Sequence, residues 1–263
     1  MKLSIVTPAY NEEKRIGAML EEYSKVFENL RKSKKLDYEI LVVINNTKDR
    51  TEEIVKKAKK KNKHIKYLNL KQGGKGYAII EGFKDSLKKD FDTIGFVDSD
   101  MATPPEEFAR LAGRSINFDG IIASRYTEGA KLTPKPTLKR LLAGRIYNIF
   151  IRTLFLFPYR DTQCGAKIFK RDALSKIMPS LSMSKWAFDI DLLYNLRKYG
   201  FNIREEPTIW SDKEYSKINF IKAGPWMAMA LIRLRVMNSP FKPFLRPFRK
   251  VIDILWRMSQ REK

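Results

Sequence analysis

Cysteine and histidine are almost missing from this chain, which contains one of each among 263 residues, Cys164 and His64. A single cysteine excludes an internal disulfide framework, and the two residues together supply too few soft ligands for a zinc site of the usual kinds. A bound metal would therefore be a hard ion held by oxygen atoms. No stretch reaches the roughly 18 uninterrupted apolar residues of a membrane-spanning helix. The first residues, MKLSIVTPAY, enter a strand-like segment without an apolar signal region.

Acidic residues are also scarce, since 52 Lys and Arg face 30 Asp and Glu and leave a formal charge of +22. Nucleic acid, an anionic membrane surface and a phosphorylated substrate are three partners that would suit such an excess. Runs such as Lys59-Lys60-Lys61 are equally typical of solvated helix faces. Charged and aromatic residues follow amphipathic segments and no nucleic-acid recognition motif is present, so we expect no nucleic-acid partner. A basic nucleic-acid-binding module remains the non-enzyme alternative, beside a membrane-docking scaffold without activity.

Apolar, β-branched runs alternate with segments of helical period along the first half of the chain. The runs are LSIVTPAY, YEILVVIN, IKYLNL, TIGFVD and GIIASR. Helical spacing predicts helices between the first four of them, at 12–30, 51–58 and 76–87. This alternation predicts an α/β fold, with a Rossmann-like, mostly parallel sheet flanked by helices. In such sheets ligands bind beyond the carboxyl ends of the strands.

Polar residues follow each predicted strand at the point where it ends. They are Pro8, Tyr10 and Glu12 after the first strand, Asn45 and Asn46 after the second, Lys75 after the third, Asp98 and Asp100 after the fourth, and Arg125 after the fifth. Carboxylates, a lysine beside glycines and an arginine at one sheet edge suit a nucleotide diphosphate with a divalent cation. The sequence therefore predicts a nucleotide site at this edge.

The glycine-rich stretch 73–76 matches neither of two common phosphate-binding motifs. A P-loop requires Ser or Thr directly after its lysine and a glycine six residues before it, but Gly76 and Asn69 hold those positions. A dinucleotide fingerprint requires a small residue three places after Gly76, where Ile79 stands. We therefore predict neither a P-loop enzyme nor a Rossmann dehydrogenase.

The triplet Asp98-Ser99-Asp100 is the sharper signal. Side chains alternate along an extended segment, so two aspartates two residues apart can face one ligand. Their hard carboxylates suit Mg²⁺ or Mn²⁺. Such a triplet is common in surface turns, but its position after an apolar strand strengthens the interpretation. Asp98 and Asp100 are therefore the predicted metal ligands.

The ordered segments VTPAYNE, INNTKDRT, GGKGYA, VDSDMAT and ASRY resemble those of the family 2 glycosyltransferases of GT-A fold. Within that family, the stretches at 160–165, 186–189 and 216–217 are similar to the dolichyl-phosphate β-glucosyltransferases, which are close to the dolichyl-phosphate mannose synthases. The resemblance covers about residues 3 to 220. It implies an inverting transfer of a hexose from a nucleotide sugar to the phosphate of a polyprenol, usually dolichol, on the cytoplasmic face of a membrane.

For the donor, the resemblance implies binding of the nucleotide sugar by Pro8, Tyr10, Glu12, Asn45, Lys75 and Asp98. Asp98 and Asp100 would also hold the Mg²⁺ or Mn²⁺ cofactor. The chain departs from the family at Asn45 and Asn46, where an aspartate pair is common. An amide still hydrogen-bonds a uracil edge or a ribose hydroxyl, so UDP-glucose is the expected donor and GDP-mannose the alternative.

For the acceptor, Arg125 and Lys217 would bind the phosphate and align one oxygen for in-line attack behind the sugar carbon. A phosphomonoester with a second pKa near ~6 is mostly dianionic at neutral pH and needs no general base. If the acceptor were a sugar hydroxyl, Asp189 or Asp191 would serve as the base. Both aspartates also suit the positive end of a helix. The predicted catalytic residues are Asp100, Arg125 and Asp189.

Two further segments mix bulky apolar with basic residues, at 138–159 and 225–258. Both are too interrupted to cross a bilayer but suit helices in its interface, with Trp226 and Trp256 as anchors. The alternative is that they pack on the enzyme or on a second copy of the chain. We predict a GT-A domain over residues 1–220 and a basic amphipathic helical segment over 221–263. The expected location is peripheral, on the cytoplasmic side of an anionic membrane.

Overall fold

The computed structural model describes residues 1–134, 137–181, 187–211 and 220–239. The strands are β1 (Lys2–Ala9), β2 (Asp37–Asn45), β3 (Ile65–Leu70), β4 (Thr93–Val97), β5 (Gly120–Ser124), β6 (Lys131–Leu132), β7 (Ala166–Lys170), β8 (Ile203–Pro207) and β9 (Ile209–Trp210). The helices are α1 (Ile16–Lys32), α2 (Thr51–Lys61), α3 (Lys75–Leu87), α4 (Pro105–Arg114), α5 (Leu138–Phe155), α6 (Arg171–Ile177), α7 (Phe188–Lys198) and α8 (Phe220–Met237).

Seven strands form the central sheet in the order β3-β2-β1-β4-β7-β5-β8. All neighbouring pairs are parallel except those of β7, which runs antiparallel to both β4 and β5. Strands β4 and β5 are buried at every residue, which explains their continuous apolar sequences. The predicted α/β fold with a mostly parallel sheet is confirmed, and all five predicted strands are present.

Apolar side chains cover both faces of this sheet, because successive strand residues point to opposite sides. Ile5 packs in the core under α1, α2 and α4, whereas its neighbour Val6 packs in the core under α3, α6 and α7. The helical spacing seen in the sequence accounts for this, since the buried residues of α1 recur on one side of the helix. The two helical layers hold the sheet edge in place.

Three residues just beyond strand ends have left-handed backbone conformations. Asn11, Asn46 and Met101 follow β1, β2 and β4, with φ angles of 53°, 51° and 58°. Asparagine tolerates this conformation, but for the bulky Met101 it costs on the order of 1–3 kcal/mol. Such strain is typical of functional sites, and here it turns the chain sharply after Asp100.

Helix α5 has a buried side and an exposed apolar side. Asn148 and Ile151 are buried, whereas five large apolar side chains are exposed by 37% to 70%. These are Leu138, Leu142, Ile146, Ile149 and Phe150, which we call the α5 outer face. No helix in the described part of the chain has the length and apolar character needed to cross a membrane.

Helix α8 packs on the main body of the protein through Ala230, Leu231 and Leu234. Residues 240–263, including Trp256, lie outside the described residues, as does the side chain of Trp226. The division of the chain at residue 220 and the interfacial role of its C-terminal part therefore stay predictions.

Candidate active site

Lys75 and Asp98 meet at the carboxyl edge of the sheet. Lys75 opens α3, Asp98 follows β4, and the distance from Lys75 Nζ to Asp98 Oδ1 is 2.5 Å. Both side chains keep part of their surface exposed, 43% for Lys75 and 34% for Asp98. The predicted donor-side residues are therefore in contact and remain reachable by a ligand.

The charges at this edge are unbalanced. Burial lowers the pKa of Lys75, but the carboxylates of Asp98, Asp189 and Asp100 outweigh this effect and raise it above its ordinary value. Burial raises the pKa of Asp98, and repulsion by Asp100 and Asp189 adds to this against the attraction of Lys75. Asp189 is paired with the Lys167 ammonium, so Asp98 and Asp100 around Lys75 leave excess negative charge, which favours binding of a cation.

Gly165 packs closely against the Asp98 carboxylate. The Asp98 N–H donates to the Gly165 carbonyl at 3.1 Å. A Cβ atom on Gly165 would lie 2.0 Å from Asp98 Oδ2, which no side chain allows. The contact exists because β7 runs antiparallel, so that its start meets the end of β4. Only a glycine fits beside this carboxylate.

Asp100 is held by its own turn. Its Oδ1 accepts a hydrogen bond from the Ala102 N–H at 2.9 Å, and its side chain is half-buried. Within the described residues, no three His, Cys, Asp or Glu side chains converge closely enough to hold a metal ion. Mg²⁺ and Mn²⁺ commonly take one or two carboxylates and complete their shell with phosphate oxygens and water. Asp98 and Asp100 fit a cation that binds together with a diphosphate.

The predicted nucleoside side lies after β1. Pro8 is buried in the strand, whereas Tyr10 is 51% exposed. Glu12 accepts two hydrogen bonds from Arg15, at 2.7 and 2.6 Å. The assignment of these three residues to the nucleoside stays a prediction, and Glu12 would bind it while paired to Arg15.

The loop after β2 is tied to the loop after β1. Asn45 is 3% exposed, and the Asn46 N–H donates to the Leu70 carbonyl at 2.8 Å. Asp49 accepts hydrogen bonds from the Glu13 N–H and from the Thr51 N–H and hydroxyl, at 3.0, 3.0 and 2.5 Å. Burial raises the pKa of Asp49, but these hydrogen bonds outweigh it and lower the pKa below its ordinary value. The Asn45 role in donor binding stays a prediction.

Arg125 pairs with a buried carboxylate. Its backbone N–H, Nε and Nη2 donate to Asp161 at 3.0, 2.7 and 3.0 Å. Asp161 is completely buried, Arg125 is 19% exposed, and the guanidinium lies 5.3 Å from the ring centre of Trp210. Burial raises the pKa of Asp161, but Arg125 outweighs it and lowers the pKa. Because Nε and Nη2 donate to Asp161, the Arg125 guanidinium is held in a fixed position from which it would bind an acceptor phosphate.

Sequence reasoning missed Lys167, which binds the predicted catalytic Asp189. Lys167 Nζ lies 2.5 Å from Asp189 Oδ1, and the Lys167 side chain is fully buried. The signal was Lys167 between the apolar residues Ala166 and Ile168 near the start of the strand AKIFK. Asp191, the other candidate base, is 1% exposed and accepts a hydrogen bond from Asn195 Nδ2 at 2.9 Å. Lys217 lies outside the described residues, and its role stays a prediction.

Arg125→Ala is expected to lower the free energy of unfolding by about 3–5 kcal/mol, because it leaves Asp161 buried without its partner. Urea unfolding measures this, and Arg31→Ala, which removes a partly exposed pair with Glu28, should cost no more than about 1 kcal/mol. The lowered pKa of Asp161 makes its contribution complete above about pH 4 and lost at lower pH. The difference between wild type and Arg125→Ala should therefore shrink on acidification, and equal losses for both variants would contradict the pairing.

The chain is similar to known sequences over most of its length. Residues 4–178 match the family described as Glycosyl transferase family 2. The chain is 32% identical over 243 residues to the dolichyl-phosphate beta-glucosyltransferase of Dictyostelium discoideum, covering 89% of this chain and 73% of that protein. It is 31% identical over 265 residues to the Homo sapiens protein of the same name, covering 92% and 78%.

Solved structures share the fold. Glucosyl-3-phosphoglycerate synthase from Mycobacterium tuberculosis, in complex with Mn²⁺, UDP and phosphoglyceric acid, aligns with a TM-score of 0.65 over 91% of this chain and 80% of that chain, at 14% identity. S. aureus TarS 1–349 in complex with UDP-GlcNAc aligns with a TM-score of 0.55 over 91% and 68%, at 18% identity. This likeness confirms the GT-A fold that the sequence resemblance implied. Since the family match covers Lys75, Asp98, Arg125 and Gly165, the chain belongs to glycosyltransferase family 2 and is a glycosyltransferase.

Proposed function

We propose that this enzyme transfers glucose from UDP-glucose to the phosphate of dolichol or a related polyprenol, with inversion at the sugar carbon. One observation carries the proposal. The Lys75–Asp98 pair, Asp100 and Arg125 all follow strands of the same sheet. The names of the relatives support glucose and dolichyl phosphate as the transferred group and the acceptor.

On the donor side, Asp98 and Asp100 would hold Mg²⁺ or Mn²⁺ with the UDP diphosphate. The metal and UDP in the Mycobacterium tuberculosis structure support this assignment. When bound, the cation would supply positive charge to the diphosphate as the anomeric bond breaks. Lys75 would donate a hydrogen bond to the same leaving group, since its ammonium already lies at Asp98. Tyr10 and Asn45 would bind the uridine.

On the acceptor side, Arg125 would bind the acceptor phosphate with the help of Lys217. Asp161 fixes the guanidinium through two side-chain bonds, so Arg125 presents its remaining N–H groups without losing further side-chain entropy. The acceptor phosphate is mostly dianionic at neutral pH and attacks directly. Its alignment behind the anomeric carbon inverts the configuration.

An acceptor panel tests this function. Purified enzyme is incubated with polyprenyl phosphate or a free sugar as the acceptor and a series of UDP- and GDP-sugars as donors, with and without Mg²⁺ or Mn²⁺, and the glycosylated product is measured. We expect glucosyl lipid from UDP-glucose and none without metal. Mannosyl lipid from GDP-mannose, or transfer only to sugar hydroxyls, would overturn the proposal in favour of one of the two alternative transferases.

The α5 outer face supports seating of the enzyme on an anionic membrane, where its acceptor lipid would be found. Arg145 and Arg152 are exposed on the same helix, so apolar and cationic groups lie together at one surface. On the buried side of the helix, Asn148 Oδ1 accepts hydrogen bonds from the Thr162 N–H and hydroxyl at 3.2 Å. Thr162 directly follows Asp161, so the helix would join the membrane to the acceptor side of the site. We place this surface on the cytoplasmic leaflet.

Replacing Ile146 and Ile149 together by Glu should weaken binding to anionic vesicles at least about tenfold, because each buried isoleucine contributes roughly 1.5–3 kcal/mol. Vesicle co-sedimentation measures this. Ile116→Glu changes an isoleucine that is 61% exposed outside α5 and should leave vesicle binding unchanged. Unchanged vesicle binding of the double variant would contradict the membrane role of this face. A loss of dimers without a loss of vesicle binding would show that the face packs on a second copy of the chain instead.

A further inference from the structure

The Lys167 ammonium is buried at a place where the fold alone gives no reason for a charge. Its Nζ donates to the Cys164 carbonyl at 2.6 Å and to Asp189 Oδ1 at 2.5 Å, and it lies 5.2 Å from the ring centre of Phe96. Removing an ammonium from water costs several kcal/mol, and well-packed apolar residues in place of a buried ion pair are often neutral or stabilising. Its strand neighbours Ala166 and Ile168 are apolar and equally buried. A functional reason for the charge is therefore needed.

The Lys167–Asp189 pair lies directly behind the donor site. Lys167 is in register with Phe96, two residues before Asp98 on the neighbouring strand. Cys164, which accepts its second hydrogen bond, precedes the Gly165 that contacts Asp98. The Asp189 side chain is 16% exposed, whereas that of Lys167 is completely buried. Lys167 thus holds Asp189 from the protein interior and leaves part of the Asp189 side chain exposed.

Two groups respond to the charge of Asp189. Asp98 and, after it, Asp189 raise the pKa of Lys75 against the effect of burial, and burial together with Asp189 raises the pKa of Tyr147. The Tyr147 hydroxyl is buried and makes no hydrogen bond within the described part of the chain. Asp189 therefore lies near enough to Lys75 on α3 and to Tyr147 on α5 to act on both electrostatically.

Pairing with a buried ammonium changes what Asp189 is suited to do. The Asp189 carboxylate already accepts a charge-assisted hydrogen bond from Lys167, and the two opposite charges balance each other. A free carboxylate at this place would repel the dianionic acceptor and the diphosphate, whereas a neutral pair does not. Its second oxygen remains suited to accept a hydrogen bond from an uncharged hydroxyl.

We propose that Lys167 is a positioning residue that holds Asp189 so that its second oxygen accepts a hydrogen bond from a hydroxyl of the transferred hexose. Asp189 then selects the sugar and does not act as a general base. This inference rests on the proposed function, because it takes the acceptor to be an already ionised phosphate. It assigns a role to a strand residue that contacts neither metal nor nucleotide.

A double-mutant cycle tests the proposal with Lys167→Met, Asp189→Leu and the two together. Each single variant should lower kcat/KM for UDP-glucose about 10- to 100-fold, the range expected for a hydrogen bond to a charged group. The double variant should lose no more than a single one, because all three remove the same contact. Losses that multiply would overturn the shared role.

Donors that lack one hydroxyl identify the contact. On the UDP-deoxyglucose that lacks the bound hydroxyl, wild-type kcat/KM should fall, and the kcat/KM of the variants should lie only slightly below it. On the other deoxy donors, kcat/KM of the variants should remain about 10- to 100-fold below that of wild type. Equal differences on every deoxy donor would overturn the proposal. Lys170→Met, at the 41% exposed end of the same strand, is the matched control and should behave as wild type.

The double variant also separates positioning from a structural role, since it removes both charges and should recover any thermal stability that Lys167→Met loses. If it recovers stability and also the wild-type preference for UDP-glucose over UDP-galactose, Lys167 is merely structural. Calorimetric binding with Mg²⁺ gives a readout without turnover. Wild type should bind UDP-glucose more tightly than UDP, and Lys167→Met should remove that difference at unchanged UDP affinity. This calorimetric test needs no acceptor, so its result is expected even if polyprenyl phosphate proves to be the wrong acceptor.

Discussion

Asp100→Ala is expected to lower kcat for glucosyl transfer by about 10²- to 10³-fold, the loss typical of removing one group that stabilises developing charge. The reason is that Asp98 would remain as the single strand-end carboxylate for the cation, with Lys75 already bound to one of its oxygens. Raising the Mn²⁺ concentration should recover part of the rate, because the variant loses metal affinity. Transfer to polyprenyl phosphate is measured across a Mn²⁺ titration.

Two variants make this result specific. Asp100→Asn keeps an oxygen for the Ala102 N–H and removes only the charge, so it should lose nearly as much activity as alanine at unchanged thermal stability. Asp90→Ala removes an exposed carboxylate before β4, at the opposite end of the strand, and should leave kcat unchanged. Full activity of Asp100→Asn would refute the metal assignment.

Gly165→Ala is expected to lower kcat/KM by about 100-fold, because a misplacement of reacting groups by an ångström costs about that much. The added Cβ would lie 2.0 Å from Asp98 Oδ2, so the Asp98 carboxylate must leave its present position beside Lys75. The loss should appear in Mn²⁺-dependent UDP binding as well as in turnover. Steady-state kinetics and calorimetry with UDP measure the two effects.

The matched control is Gly113→Ala, in the last turns of α4, where no heavy atom lies within 4 Å of the new Cβ. It should raise stability by up to about 1 kcal/mol, since alanine favours a helix over glycine, and leave activity unchanged. If Gly165→Ala retained wild-type activity and UDP affinity, the packing of Gly165 against Asp98 would contribute to neither turnover nor UDP binding.

The donor side of the site was predictable from sequence because its residues follow local patterns. Each of β1 to β4 is a short run rich in apolar residues, which alternate with polar ones in β3, and parallel strands bring their carboxyl ends to one edge. Lys75 and Asp98 follow two such runs, so their proximity could be inferred before any coordinates were available. The family resemblance added the particular roles, which hydrophobic period does not contain.

The partners of Arg125 and Asp189 were not predictable, because long-range pairing of the chain sets where these partners lie. Asp161 binds Arg125 across 36 residues, and Lys167 binds Asp189 across 22. Both contacts depend on the insertion of β7 between β4 and β5. No local pattern indicates that a strand late in the chain enters the sheet in the reverse direction.

Strand β7 also joins two groups of strands that differ in how far apart in sequence their contacts are. Residues 2–97 form four neighbouring parallel strands through successive short crossovers, whereas β5 and β8 pair across more than eighty residues of chain. Within the described strands, β7 is the bridge between these two groups. Contacts that are close in sequence cost less chain entropy to form than distant ones, so we expect the half with Lys75 and Asp98 to form before the half with Arg125. The proposed donor-binding and acceptor-binding residues therefore belong to halves that we expect to assemble one after the other.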